Sequence, residues 1–243
     1  MRFLVFQHVP VEHPGSFLPL WREDGVRFDQ IELDAGDPIP ELDAYDALVV
    51  MGGPMDVWQE DLHPWLVAEK DAVRRWVLDL KRPYLGICLG HQILAEAIGG
   101  KVAAGAVSEV GFGTVELTDA GMADPLLGPA GPQMQCFQWH SAEVTELPPN
   151  SEILARNQAC AVQAFRYGSS AYGLQFHVEL TERTVPEWRA LPEYAASLAE
   201  IFGEGGGARL EQEVHAELPS FEAAAGRLNA RFMSIVTRRI ETA

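Results

Sequence analysis

Seven residues, Gly86-Ile87-Cys88-Leu89-Gly90-His91-Gln92, restrict this chain more than any other stretch. The apolar run Pro83-Tyr84-Leu85-Gly86-Ile87 has the length of a buried strand, and a helical pattern runs from Leu89 to Ile98 directly after the cysteine. A strand that becomes a helix across one residue must turn sharply, and such a turn projects the intervening side chain from the sheet edge. Glycines two residues away on either side suit that turn, because a Cβ there would crowd the compressed backbone. Most free cysteines simply pack as small hydrophobes. This one stands where an exposed nucleophile would be built.

The first half of the chain alternates strand-like and helix-like segments. Residues 3–7 read as a strand, 15–24 as a short helix, 27–33 as a second strand and 47–51 as a β-branched core strand. Residues 64–81 then carry Leu66, Val73, Val77 and Leu80 at helical spacing, with Pro64 in the first turn. This order predicts an open, mostly parallel α/β sheet with helices on both faces. From 101 to 177 the pattern changes to short strands over 113–117, 133–139, 161–167 and 171–177, expected to extend the sheet in antiparallel fashion. Helix returns over 181–202, and Gly203-Glu204-Gly205-Gly206-Gly207 reads as a flexible joint. Beyond it, Phe221, Ala225, Leu228, Phe232 and Ile235 form a helical stripe. That stripe suits a terminal helix docked on its own domain, or else a contact with a second copy or another protein. The expected organisation is therefore a domain over 1–202 and a C-terminal helical extension over 203–243.

Composition excludes several classes. Lys and Arg number 18 against 35 Asp and Glu, a net charge of −17, which argues against nucleic acid and anionic membranes as partners. No apolar run reaches the roughly 18 residues that span a bilayer. Three cysteines, Cys88, Cys136 and Cys160, do not make a disulfide framework and suit a reducing, cytoplasmic setting.

A cysteine nucleophile needs a base, a group that orients the base, and donors for the oxyanion. His177 and Glu179 lie two residues apart at the end of a strand-like run, so they share a face. A carboxylate so placed fixes the tautomer and orientation of the imidazole. Met51-Gly52-Gly53-Pro54-Met55 closes the core strand, where it is either a plain turn or a loop whose glycine N–H shares an oxyanion with the N–H of Leu89. The residues alone leave both readings open. His8, His13, His63, His140 and His215 are scattered and read mostly as surface or pocket-wall residues. No second pair accompanies Cys88 and His91 at zinc-like spacing.

Gly-Ile-Cys-Leu-Gly-His-Gln, with Gly-Gly-Pro upstream and His-Val-Glu downstream, resembles the class I (triad-type) glutamine amidotransferase family over roughly residues 40–180. The pattern is similar to stand-alone proteins like the glutaminase part of GMP synthase. The resemblance implies a flavodoxin-like fold and a Cys88–His177–Glu179 triad that releases ammonia from glutamine through a γ-glutamyl thioester. It implies oxyanion donors at Gly53 and Leu89, and substrate contacts from Gly52, Gln92 and the segment Trp139-His140-Ser141. Ser108 to Gly111 would line the same pocket. Neither metal nor cofactor is implied. Where the family usually has proline between the triad histidine and carboxylate, Val178 stands here. It is β-branched and can hold an extended geometry too.

No segment resembles a phosphate loop or a synthetase domain. The ammonia acceptor is then expected on a separate chain or is left unidentified, and a homodimer of this chain is the other assembly in view. Two other functions fit the same residues: a γ-glutamyl peptidase or hydrolase acting on other γ-glutamyl amides, and a catalytically silent regulatory binding module.

Overall fold

The protein is described by a computed structural model covering residues 1–203 and 205–242. Its first part runs β1 (Arg2–Gln7), α1 (Phe17–Glu23), β2 (Arg27–Glu32), β3 (Ala47–Val50), α2 (Trp65–Arg74), β4 (Tyr84–Ile87) and α3 (Leu89–Ala97). It continues through β5 (Lys101–Leu117), α4 (Asp119–Ala123), β6 (Gln133–Glu146), β7 (Ser151–Arg156), β8 (Ala164–Tyr167) and β9 (Ala171–Leu174). The chain closes with α5 (Thr184–Trp188), α6 (Pro192–Phe202) and α7 (Gly206–Glu241).

Among the described residues these strands form one sheet in the order β2-β1-β3-β4-β9-β8-β7-β5-β6. Neighbours from β2 to β9 are parallel, and every later pair is antiparallel. The parallel half has the doubly wound order of flavodoxin-like folds, as the sequence implied. The period-2 alternation of β1 divides the core. Phe3 and Val5 face Trp21 of α1 and Leu228 and Phe232 of α7, while Leu4 and Phe6 face Leu66 of α2 and Ile93 and Leu94 of α3. His8, Met51-Gly52-Gly53 and Cys88 follow the carboxyl ends of β1, β3 and β4, where such sheets bind ligands.

Several elements differ from the sequence expectation. Residues 113–117 are only the end of β5, which pairs with β6 as a long ribbon whose register shifts between Ala104 and Glu109. Its short-strand appearance arises because much of the ribbon is exposed on both sides and so lacks an apolar alternation. Strand β7, unforeseen in sequence, sits between β5 and β8. The segment 181–202 is two helices, because Pro192 opens α6 and forces Leu191 into an extended conformation. Pro64 caps α2 from outside instead of entering its first turn, and after Arg74 the helix widens into π-type turns over Arg75–Leu80.

Within the expected joint, Glu204 lies outside the described residues. Gly203 and Gly205 take positive φ values of 68° and 81°, while Gly206 and Gly207 already belong to α7. Along α7, Leu210, Val214 and Phe221 pack with Trp139, Trp188 and Tyr194, and the stripe from Ala225 to Val236 enters the core beside β1. Among the described residues no helix is long and apolar enough to cross a membrane.

Candidate active site

Cys88 sits between β4 and α3 with φ 51° and ψ −104°, a backbone conformation few non-glycine residues adopt. Its N–H is fixed to the Leu174 carbonyl of β9 at 2.8 Å. The neighbouring glycines are sterically required. A Cβ on Gly86 would stand 2.4 Å from the Gly90 carbonyl oxygen, and one on Gly90 would stand 2.2 Å from that of Val50. Strand, turn and helix are thus packed too closely for a side chain at either glycine position.

The thiol is nearly buried yet lines an open cavity with Gly53, Leu89, Gln92, Trp139, His140 and Ser141. These are seven of the ten residues picked out from the sequence. Gly52 stands just behind the wall. From the 108–111 segment Ser108 and Val110 reach the cavity. Glu109 instead turns to Asn157, Gln163 and His140.

His177 and Glu179 are held behind the thiol. The backbone of His177 bridges to Phe137 of β6, which keeps it extended. Its Nδ1 lies 2.6 Å from Glu179 Oε1, and the other carboxylate oxygen accepts the Val178 N–H at 2.9 Å. The indole of Trp188 meets the imidazole edge-on at 4.8 Å. Nε2 has no hydrogen-bond partner of ordinary geometry among the described residues, and it is the ring's remaining polar atom. Burial disfavours charge on His177, but the Glu179 carboxylate, together with hydrogen bonding and charge from Cys88, pushes its pKa well above the usual value. Burial likewise opposes ionisation of Glu179, yet the His177 charge and backbone N–H donors hold its carboxyl below the ordinary range. The two shifts point the same way, each group favouring the charged form of the other.

The other titratable candidates are silent. Burial pushes Cys160 up to about 12 and raises Cys136 as well, so both remain thiols at neutral pH. His91, in the motif itself, is fully buried against Phe165 and pushed down to about 3, which removes it as a base near neutrality.

Further polar residues surround the sulfur that the sequence did not single out. Gln175 Nε2 lies 3.6 Å from Cys88 Sγ, and its oxygen accepts from Gln92 Nε2 at 3.1 Å. Gln92 also reaches the Ala142 carbonyl at 3.4 Å, so its amide protons are committed inside the wall. Tyr194 of α6 lines the cavity and hydrogen-bonds Glu12, which is buried and has its carboxyl raised, burial outweighing the pull of His177 and the Tyr194 hydroxyl. His8 is fully buried beside Gly52, a correction to its reading as surface or pocket wall. Position after the carboxyl end of β1 was the available signal for His8 and Glu12.

This elbow, cavity and imidazole–carboxylate pair coincide with a family match. The model of glutamine amidotransferase class-I covers residues 21–187. The chain belongs to the class I glutamine amidotransferase family. A glutamine amidotransferase-like protein of Salmonella typhimurium is 31% identical, with 76% of this chain and 78% of that protein covered. A glutamine-hydrolyzing GMP synthase subunit of Natronomonas pharaonis is 34% identical, over 74% of this chain and 91% of its own. The crystal structure of a glutamine amidotransferase from Thermotoga maritima matches with a TM-score of 0.84 at 27% identity, covering 96% of this chain and 97% of that one. The family match stops at residue 187, yet in this amidotransferase Trp188, Tyr194 and Ser197 from beyond it complete the wall around Trp139.

Proposed function

We propose that the chain hydrolyses the side-chain amide of glutamine through Cys88, His177 and Glu179, and delivers the ammonia to an acceptor enzyme on a separate chain. The observation that carries this reading is the thiol on a strained elbow, opening into a cavity, beside a buried imidazole hydrogen-bonded to a carboxyl group. The Cys88 sulfur attacks the amide carbon, and the carbonyl electron pair moves onto oxygen. That oxyanion rests on the N–H groups of Gly53 and Leu89; the latter is the first residue of α3, where helices leave N–H groups unpaired. His177 gives its proton to the departing nitrogen as the carbon–nitrogen bond breaks, leaving ammonia and a γ-glutamyl thioester. The neutral imidazole then takes a proton from water as its oxygen attacks the thioester, and glutamate departs. Glu179 holds Nδ1 throughout and stabilises the imidazolium.

Backbone groups of the Trp139-His140-Ser141 segment would hold the α-amino and carboxylate groups of the substrate, with Gln92 contributing its free oxygen. Relatives named as glutamine-hydrolyzing subunits of GMP synthase support an acceptor carried by a second polypeptide. The test is intact-protein mass spectrometry after treatment with a glutamine-derived chloroketone. One adduct per chain is expected, lost in Cys88→Ser. Labelling at Cys136 or Cys160 instead would overturn the assignment.

A further inference from the structure

One buried charged pair has no part in that reaction. His8, which follows β1, and Glu69 of α2 are both fully excluded from solvent, with Nε2 of the one 2.9 Å from Oε1 of the other. The imidazole lies flat against Trp65 at 5.3 Å, and its Nδ1 is 2.8 Å from the Gly52 carbonyl oxygen. Burial disfavours charge on His8, but Glu69, the Gly52 carbonyl and Glu12 together raise its pKa. Facing a carbonyl oxygen, Nδ1 can only donate, and Nε2 faces a carboxyl oxygen of Glu69. As a stabilising device such a pair is a poor choice, because desolvation of two charges commonly cancels their attraction.

Its geometry suits a different task. The Gly52 carbonyl and the Gly53 N–H belong to one planar trans peptide group and point in opposite directions. Holding the carbonyl on His8 aims the N–H the other way. Gly53 lines the Cys88 cavity, and among the described residues its N–H has no hydrogen-bond acceptor. The loop is also confined on its flanks. A Cβ on Gly52 would stand 2.6 Å from Glu12 Oε2, and one on Gly53 would stand 3.0 Å from Leu89 Cδ2 and 3.1 Å from His8 Cβ.

We propose that His8 and Glu69 form a positioning dyad that clamps the Gly52–Gly53 peptide and so holds the Gly53 N–H at the oxyanion. This rests on the glutaminase reading above. Glu69 fixes the ring, the ring fixes the carbonyl, and the peptide plane transmits that constraint to the reacting oxygen. Neither side chain touches substrate.

Two substitutions separate the roles of the ring nitrogens. In His8→Asn the side-chain amide nitrogen takes the place of Nδ1 and keeps the bond to Gly52; in His8→Gln it takes the place of Nε2 and keeps only Glu69. With the γ-glutamyl amide that wild type turns over, His8→Gln should lower kcat about 10- to 100-fold at nearly unchanged KM, the loss expected when an oxyanion donor is displaced. His8→Asn should recover most of that loss. Alkylation of Cys88 by iodoacetamide, a displacement at saturated carbon with no oxyanion, should proceed at the wild-type rate in both. Glutamate γ-semialdehyde, whose carbonyl carbon bonds the sulfur while its oxygen takes up the charge, should bind His8→Gln more weakly by a similar factor. Equal kcat in the two variants, or parallel losses of alkylation and turnover, would overturn the proposal in favour of a structural role. If His8→Gln does not fold, Glu69→Gln, which leaves the Gly52 bond but removes the charge from the group that holds the ring, should lower kcat to a smaller extent; a change confined to KM would count against the dyad. A wild type that neither turns over γ-glutamyl amides nor is labelled at Cys88 would remove the parent reading, a result distinct from an active wild type whose His8 variants match it.

Discussion

Replacing Val178 by proline, the residue the family usually carries there, should destabilise this protein. Proline has no N–H, and the Val178 N–H donates to Glu179 Oε2 at 2.9 Å inside the core. A hydrogen bond to a charged group contributes about 1.5–3 kcal/mol. Proline returns about 0.4–1 kcal/mol by stiffening the unfolded chain, and the extended backbone of His177 is compatible with a following proline. The net loss is about 0.5–2.6 kcal/mol, or a fall in Tm of roughly 1–10 °C for a chain of this length. Its pH dependence separates this cause from lost packing. The Glu179 carboxyl lies below its ordinary range when folded, so the stability it contributes is complete above the unfolded pKa and drains away as pH falls through the folded one. Urea unfolding of both proteins should show the full difference at pH 7 and a shrinking one below about pH 4. A difference that is absent at pH 7, or that stays constant down the acid limb, would refute the reasoning. Turnover should change only severalfold, because the bond from His177 to Glu179 remains.

Glu179→Gln removes the carboxylate that orients His177 and raises its pKa, and should reduce kcat roughly 10²- to 10⁴-fold. The imidazole pKa falls with it, so the limb of the rate profile belonging to His177 should move to lower pH; an unmoved limb would deny the coupling. Gly90→Ala drives a Cβ to 2.2 Å from the Val50 carbonyl of a core strand, and calorimetry should register at least about 1–3 kcal/mol of lost stability. Near-wild-type stability in that variant would mean the elbow has slack. Phe232→Ala empties a site on α7 that packs edge-on against Phe3 of β1, for an expected loss of about 3–5 kcal/mol in urea unfolding. A loss under about 1 kcal/mol would show that α7 contributes little to the core.

The parallel half of the fold was legible because its signals are local. Ala47–Val50 and Tyr84–Ile87 are short apolar runs bounded by turn residues, and a central parallel strand buried on both faces can hardly look otherwise. The elbow was legible for a related reason: a compressed turn excludes a Cβ at its two closest approaches, and Gly86 and Gly90 mark where. The full length of β5 was not, since most of that strand is exposed and carries no apolar alternation to read. The break before Pro192 had a sequence signal in the proline itself, and the helical content on both sides masked it.

The contacts that His8 makes with Gly52 and Glu69 were invisible for a different reason. Nothing in a sequence states that residues 44 and 61 positions apart from His8 will meet its two ring nitrogens. Likewise Val178 looked like a plain departure from a family pattern until its N–H was found on a carboxylate. By itself the sequence determined which atoms are candidates to react, because a nucleophile, a base and a strained turn require particular residue types at fixed local spacing. Only the tertiary structure decided which buried groups aim and charge those atoms, because hydrogen bonds between distant segments depend on where the packed sheet brings them, and no local periodicity encodes that.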